Sequence, residues 1–225
     1  LQAGTSHFLG QNFAKAFDIR FQDRDGEVKY AWTTSWGVST RLIGAIIMTH
    51  SDDDGLILPP RVAPVKVALL PISTDQDLIS SSLEPKAMEL KAAIEDRIGP
   101  RTVALDRQYH LRPSDRFFNH LQKGVPLRIE LGQKELENRT VRLVCRDNGE
   151  RIDVPMEGAP ERVAEVLNQI QARLYDRALK FRRANTHRVS SIEEFKEVME
   201  SKGGFVEAHF AGTPEDERAI KEATG

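Results

Sequence analysis

Arg41 is the residue best placed to do chemistry. It follows a strand-like run ending at Val38 and opens the apolar stretch Leu42, Ile43, Ala45, Ile46 and Ile47. A guanidinium is planar, permanently charged and presents several fixed donors, so it suits phosphate oxygens. Burying it there would be expensive without an anionic partner, and on the residues alone an arginine so placed is more often a structural salt bridge than a ligand contact. Ser39 and Thr40, immediately before it, add hydroxyls and backbone groups. A second cluster, Thr5, Ser6 and His7, has Gln2 three residues ahead of Thr5. On its residues alone it reads as a cap beside a surface histidine. His50 with Asp52, Asp53 and Asp54 has metal-binding side chains, but the spacing fits no known loop and a solvated turn accounts for it. Gly10, Gly37 and Gly44 do not form a phosphate-cradling loop.

These residues need elements to hold them. Val28 to Trp36 is rich in β-branched and aromatic residues and predicts strands, with a hairpin turn at Asp25-Gly26. Ser39 would cap a helix over Thr40 to Thr49, whose apolar residues surround most of its circumference and predict burial. Pro59-Pro60 ends that unit. Val65 to Ile72 reads as a buried central strand. A helix follows over residues 83–98, with Leu83, Ala87, Leu90, Ala93 and Ile94 on its apolar side, and Gly99-Pro100 stops it. Thr102 to Leu105, Pro126 to Leu131 and Thr140 to Cys145 read as further strands, and the alternating order favours an α/β layer with a mostly parallel sheet. Residues 161–183 form one long helix with an apolar stripe of Val163, Val166, Leu167, Ile170, Leu174 and Phe181. Arg173, Arg177 and Lys180 share one flank of it. Ser191 and Glu194 form a capping box that opens a helix to about Glu200. Gly203-Gly204 breaks it, Phe205 to Phe210 predicts a strand, and Thr213-Pro214 starts a last helix.

Composition narrows the possibilities. Of 225 residues, 40% are apolar and 29% charged, as in an ordinary soluble protein. The net charge of -2 implies no bulk attraction to nucleic acid, so any such contact must come from local basic patches. One cysteine, Cys145, excludes an internal disulfide, argues for a reducing compartment and reads as strand packing. No apolar run approaches the roughly 20 residues of a membrane span, so no membrane partner is expected. No signal peptide is visible, and the absent initiator methionine suggests a fragment.

Two signatures carry a family resemblance: Thr5-Ser6-His7-Phe8-Leu9-Gly10-Gln11-Asn12-Phe13, and Trp36-Gly37-Val38-Ser39-Thr40-Arg41-Leu42-Ile43-Gly44-Ala45, which runs on to Leu58-Pro59-Pro60-Arg61. They resemble the end of the catalytic domain of the prolyl-tRNA synthetases, class II aminoacyl-tRNA synthetases, in their archaeal and eukaryotic-like form. Leu111-Arg112-Pro113 and Lys123 through Gly132 look like the anticodon-binding domain that several such enzymes share. The resemblance reaches nearly the whole chain and marks it as a C-terminal portion, with the third class II motif but without the first two.

The resemblance implies an α/β fold in three parts. Residues 1–60 would be the end of the antiparallel catalytic sheet, 61–160 an anticodon-binding domain with a mixed sheet, and 161–225 the long helix and a small, truncated α+β domain. It implies ATP-dependent attachment of L-proline to tRNA(Pro) through a prolyl-adenylate, with ATP as substrate and Mg²⁺ as helper. It assigns Arg41 to catalysis by neutralising phosphate charge, Gln2, Thr5, Ser39, Thr40 and Arg41 to ATP, and His7 and Trp36 to proline. Anticodon guanines need both donors and acceptors, which Arg116, Lys123, Arg128, Glu130 and Lys134 supply near one sheet edge. Many family members have an acidic residue near Asn119, which this chain lacks. Arg173, Arg177, Lys180, Arg182 and Arg183 would track tRNA phosphates. Ala211 and Asp216 stand where family members carry zinc-binding cysteines, so no structural zinc is expected. The full-length enzyme would be a cytoplasmic homodimer, and this portion would be inactive alone. The competing readings are another class II synthetase, threonyl or glycyl, and a non-enzymatic tRNA-binding module derived from a synthetase.

Overall fold

The computed structural model describes residues 2–210 and 212–224. The chain divides into two units, Leu1–Leu58 with Gln108–Val125, and Pro59–Arg107 with Pro126–Gly225.

The first unit is built around a two-stranded antiparallel ribbon, β1 (Gly4–Gly10) with β4 (Thr33–Val38). Between them lie helix α1 (Asn12–Ala16) and the hairpin of β2 (Arg20–Gln22) and β3 (Val28–Tyr30). The expected turn is there: Gly26 has φ +84° and its N–H donates to the Asp23 carbonyl at 2.9 Å. Helix α2 (Arg41–His50) follows directly on β4. The Ser39 hydroxyl accepts from the Arg41 N–H at 3.4 Å, but the helix starts one residue later than expected and its cap residue is Thr40, not Ser39. The expectation that α2 is buried is corrected: none of its residues is buried, and Ile43 and Met48 are open to solvent. Apolar residues surround this helix, but no other described element encloses it. Asp52 closes the next turn by accepting from the N–H groups of Asp54 and Gly55 with one carboxylate oxygen, as a solvated turn requires.

The second unit holds the main core. Its five-stranded mixed sheet has the order β6-β5-β7-β8-β9, from β5 (Val67–Ile72), β6 (Val103–Leu105), β7 (Leu127–Gly132), β8 (Thr140–Cys145) and β9 (Arg151–Pro155). The pairings of β5 with β6 and β7 are parallel, and those of β8 with β7 and β9 antiparallel, so half of the ladders are parallel rather than most of them. Gln76–Leu78 (α3), a π-helical turn at Ile79–Leu83 and α4 (Glu84–Ile98) follow β5. Leu83, Ala87, Leu90 and Ile94 are the buried side of this helical segment, whereas Ala93 is exposed. The helix α5 (Pro113–Gln122) belongs to the first unit, and α6 (Gln133–Glu137) to the second. The long helix α7 (Ala159–Ala184) packs against α4, β8 and β9 through Val163, Val166, Leu167, Ile170 and Leu174. Phe181 is not part of that buried stripe; it is exposed.

Beyond α7, β10 (Thr186–Arg188) pairs in parallel with β11 (Phe205–Glu207), which stops three residues short of the expected Phe210. Between them, α8 (Ile192–Ser201) is capped by the Ser191 hydroxyl on the Glu194 N–H, and the Glu194 carboxylate reaches back to the Ser190 N–H at 2.8 Å. The last helix, α9 (Pro214–Thr224), opens with Thr213 and Asp216 bonded reciprocally. Asp216 therefore completes a helix cap; Ala211 lies outside the described residues.

Candidate nucleotide cleft and charged sheet face

The register of the β1–β4 ribbon sets the geometry of the first site. Thr5 lies opposite Gly37, Ser6 opposite Trp36 and His7 opposite Ser35. Alternation then places Thr5 and His7 on one face, and Ser6 and Trp36 on the other. The expected proline pair, His7 and Trp36, is thus divided between two faces, with Trp36 81% exposed. The expected ATP residues converge instead. Gln2, Thr5, Ser39 and Arg41 line one open cleft of about 340 Å³, together with Ala3, Gly4, Gly37 and Val38. Thr40 is the cap residue of α2 and is not among the lining residues.

Arg41 is exposed, not buried as its apolar neighbours suggest. Its Nη1 donates to the Gln2 carbonyl at 2.6 Å, tying the start of β1 to the start of α2. One N–H of the guanidinium is held by neutral backbone while the fork stays at the cleft wall. A cation beside the N-terminus of a helix and several hydroxyls forms an anion site. The lining residues include no carboxylate, and among the described residues no group of three His, Cys, Asp or Glu side chains is arranged to hold a metal. This donor set suits phosphate oxygens and does not fit Mg²⁺, so no step here is routed through a metal.

The expected anticodon residues fall into both units. In the first, Arg116 on α5 is 2% exposed, with its guanidinium 5.3 Å from the centre of the Tyr109 ring. Lys123, just past α5, is exposed. In the second, Arg128 and Glu130 sit two apart on one face of β7 and pair at 2.8 and 3.0 Å. The expectation of a sheet edge is corrected, because β7 is the middle strand. Lys134 is exposed in the first turn of α6.

Two residues absent from the sequence reading extend this face. Glu130 lies opposite Arg142 on β8, and Arg142 opposite Asp153 on β9. Arg142 grips Asp153 with two bonds of 2.8 and 3.0 Å. That guanidinium holds the Asp153 carboxyl below its usual range, with Lys134 assisting, and Asp153 in turn raises Arg142. Four charges of alternating sign thus cross three strands. The sequence signal was present in the alternation of Arg142 within an apolar strand, but β9 was not recognised as its partner.

The basic flank of α7 is less uniform than its spacing implies. Arg173 does not face solvent phosphates: it makes a bidentate pair with Asp147 at 2.6 and 2.9 Å, and the Asp147 side chain is 4% exposed. The bond to Asp147 drives the Arg173 pKa up, against the cost of burial.

Comparison with known proteins finds relatives for the whole chain. Residues 66–166 match the family described as anticodon binding domain. The whole chain is 46% identical over 227 residues to proline–tRNA ligase of Cytophaga hutchinsonii and 48% identical over 224 residues to that of Salinibacter ruber, covering 45% of each. Among solved structures, prolyl-tRNA synthetase from Cryptosporidium parvum complexed with L-proline and AMP superposes with a TM-score of 0.87 at 36% identity, over all of this chain and 47% of that one. The same enzyme complexed with halofuginone and AMPPNP gives 0.87 at 35% identity. The chain spans about half the length of the relatives it matches. In sequence along its whole length and in fold, the chain is similar to one portion, about half, of prolyl-tRNA synthetases.

Proposed function

We propose that this chain supplies the phosphate-binding wall of an active site that activates L-proline with ATP and transfers it to tRNA(Pro), together with the surface that reads the anticodon. The convergence of Gln2, Thr5, Ser39 and Arg41 on one cleft carries the reading. Proline carboxylate attacks the α-phosphorus of ATP, giving prolyl-adenylate and pyrophosphate, and a terminal ribose hydroxyl of tRNA then takes the prolyl group. Neither step needs a side-chain nucleophile. Arg41 neutralises charge on the triphosphate, and its bond to the Gln2 carbonyl fixes the fork before substrate arrives. Thr5 and Ser39 orient the nucleotide by hydroxyl contacts, with Thr40 supporting them at the head of α2. His7 and Trp36 contribute to proline and tRNA-end binding from opposite faces of the ribbon.

Arg128, Glu130 and Lys134 in the second unit offer donors and acceptors to the anticodon guanines; Lys123 and Arg116, in the first unit, are the further candidates for anticodon contact. The enzyme works as a soluble cytoplasmic homodimer. A merely tRNA-binding module would have no use for the preformed Arg41 fork. The test is Arg41→Ala in the full-length protein. Pyrophosphate exchange should fall by about 10²–10³-fold, the loss typical of one transition-state donor, with tRNA affinity nearly unchanged. Exchange within a few-fold of wild type overturns the assignment.

A further inference from the structure

Beyond the long helix, and apart from both sites above, the last turn of α7 and the parallel pair β10–β11 enclose an open cleft of about 630 Å³. Arg182, Arg183, Thr186, Arg188, Phe205 and Glu207 line it. Local structure builds the cleft. Gly203 and Gly204 both have positive φ, at +65° and +92°. A Cβ on Gly204 would lie 2.4 Å from the Asn185 carbonyl oxygen, so only glycine lets β11 close on the end of α7. The Phe205 N–H then donates to that carbonyl at 2.8 Å. The register puts Thr186 opposite Phe205 and Arg188 opposite Glu207, on one face of the pair.

The contents of the cleft are unlike those of a folding core. Phe205 is 64% exposed, an aromatic ring left open to solvent. Arg188 spends one bond on Glu207, at 2.9 Å, yet stays 88% exposed. The side chains of Arg182 and Arg183 have no hydrogen bond or ion pair among the described residues. Three guanidiniums face one carboxylate, so the cleft carries an excess of about two positive charges on a chain whose net charge is -2. Such cations beside an open aromatic face are the combination that holds a nucleic-acid strand: phosphates on arginine, one unstacked base on the ring.

We propose that this cleft is a second RNA-binding site, taking the phosphodiester backbone and one unpaired base of the bound tRNA away from its anticodon. The inference rests on the reading of the chain as a tRNA-binding protein. Arg182, Arg183 and Arg188 hold phosphates without regard to sequence, and Phe205 stacks a base of any identity.

The test is titration of the chain with an unmodified tRNA(Pro) transcript between about 50 and 200 mM salt. Replacing Arg182, Arg183 and Arg188 together by Gln should lower the slope of log affinity against log salt by about 2–3, near 0.9 for each phosphate no longer neutralised. The triple Lys variant should restore most of it. Phe205→Ala should leave the slope alone and weaken binding about tenfold, with Phe205→Trp as the rescue. Inorganic polyphosphate, which has no bases, should lose affinity with the Gln variant and keep it with Phe205→Ala. Equal loss for polyphosphate with Phe205→Ala would show that the ring acts structurally, and overturns the stacking assignment. Wild-type binding with variants of unchanged slope and affinity overturns this inference alone. Failure of the wild-type chain to bind tRNA at all overturns the reading beneath it. An acidic peptide that needs Phe205 while tRNA does not overturns the choice of RNA.

Discussion

Arg173 and Arg183 look alike in the sequence, as basic residues of one long helix expected to track phosphates, and the structure gives them opposite work. Arg173 is held by Asp147 in the turn after β8, so its charge is spent inside the second unit. Arg183 keeps its charge at the surface. Arg173→Ala should therefore lower the stability of the second unit by about 1–3 kcal/mol, the cost of breaking a buried pair reduced for the part of it that water reaches. It should leave the salt dependence of tRNA binding where it was. Urea unfolding and a salt titration on the same variant check both halves; a lower salt slope at unchanged stability contradicts the assignment. The ion partner was not legible because helical spacing describes one helix only, and Asp147 lies 26 residues away in a turn. The position of Arg41 was legible because the strand, the hydroxyls and the helix start are contiguous around it. Its exposure was not, since the apolar residues after it resemble a core helix whether or not anything covers them.

At the scale of elements, the long regular ones were readable and the short docking segments were not. β8 ends where its apolar run ends, and α4 and α7 keep their stripes apart from Ala93 and Phe181. The helices α5 and α6 and the strand β9 passed unrecognised, because charged residues interrupt each of them and β9 closes on a proline. The bonds that tie segment 56–58 to the end of α5 had no signature either: Leu56 N–H donates to Gln122, and Leu58 N–H to Gly124. Two glycines make that approach possible. A Cβ on Gly55 would meet the Gln122 backbone at 2.8 Å, and one on Gly124 would meet the Leu56 backbone at 2.9 Å, with Gly124 at φ +69°. Gly124→Ala combines left-handed strain with backbone overlap and should cost the first unit about 2–5 kcal/mol. Gly26→Ala is the control: φ is +84° but space is open, so only the backbone part, about 1–2 kcal/mol, is lost. Hydrogen exchange at Leu56 and Leu58 should quicken in the first variant and not in the second. Equal effects would mean that the close approach does not hold these segments together.

At the scale of the molecule, the two units differ in how much they bury. The second contains almost all of the described core, from Val67–Leu70 on β5 through Ile129 and Leu143 to Ile170 and Leu174 on α7. In the first, the buried apolar side chains among the described residues are Ala14, Ile57 and Val125. Its large apolar side chains are open instead, Phe8, Phe17, Trp36, Val38 and Met48 among them. Stability follows the apolar area removed from water, at about 25 cal/mol per Å², so the ribbon and α2 gain little from folding by themselves. The mixed sheet with α4 and α7 is the part that α/β alternation made legible, since each of its elements has a face to bury. The weakness of the first unit could not be seen in composition, because an apolar residue reads the same whether it is covered or bare. The isolated chain should therefore unfold in two steps in urea. The first should have the smaller denaturant dependence, which tracks the surface newly exposed, and should abolish the β1–β4 amide protection while that of β5, β7 and β8 persists. Phe8 stacks on Trp32 with ring centres 5.5 Å apart, so the fluorescence of that pair reports the first step. Far-ultraviolet circular dichroism, dominated by α4 and α7, reports the second. Coincident transitions by both probes would show that the second unit stabilises the first enough to make the chain a single cooperative body, whereas separated midpoints follow from the burial seen here.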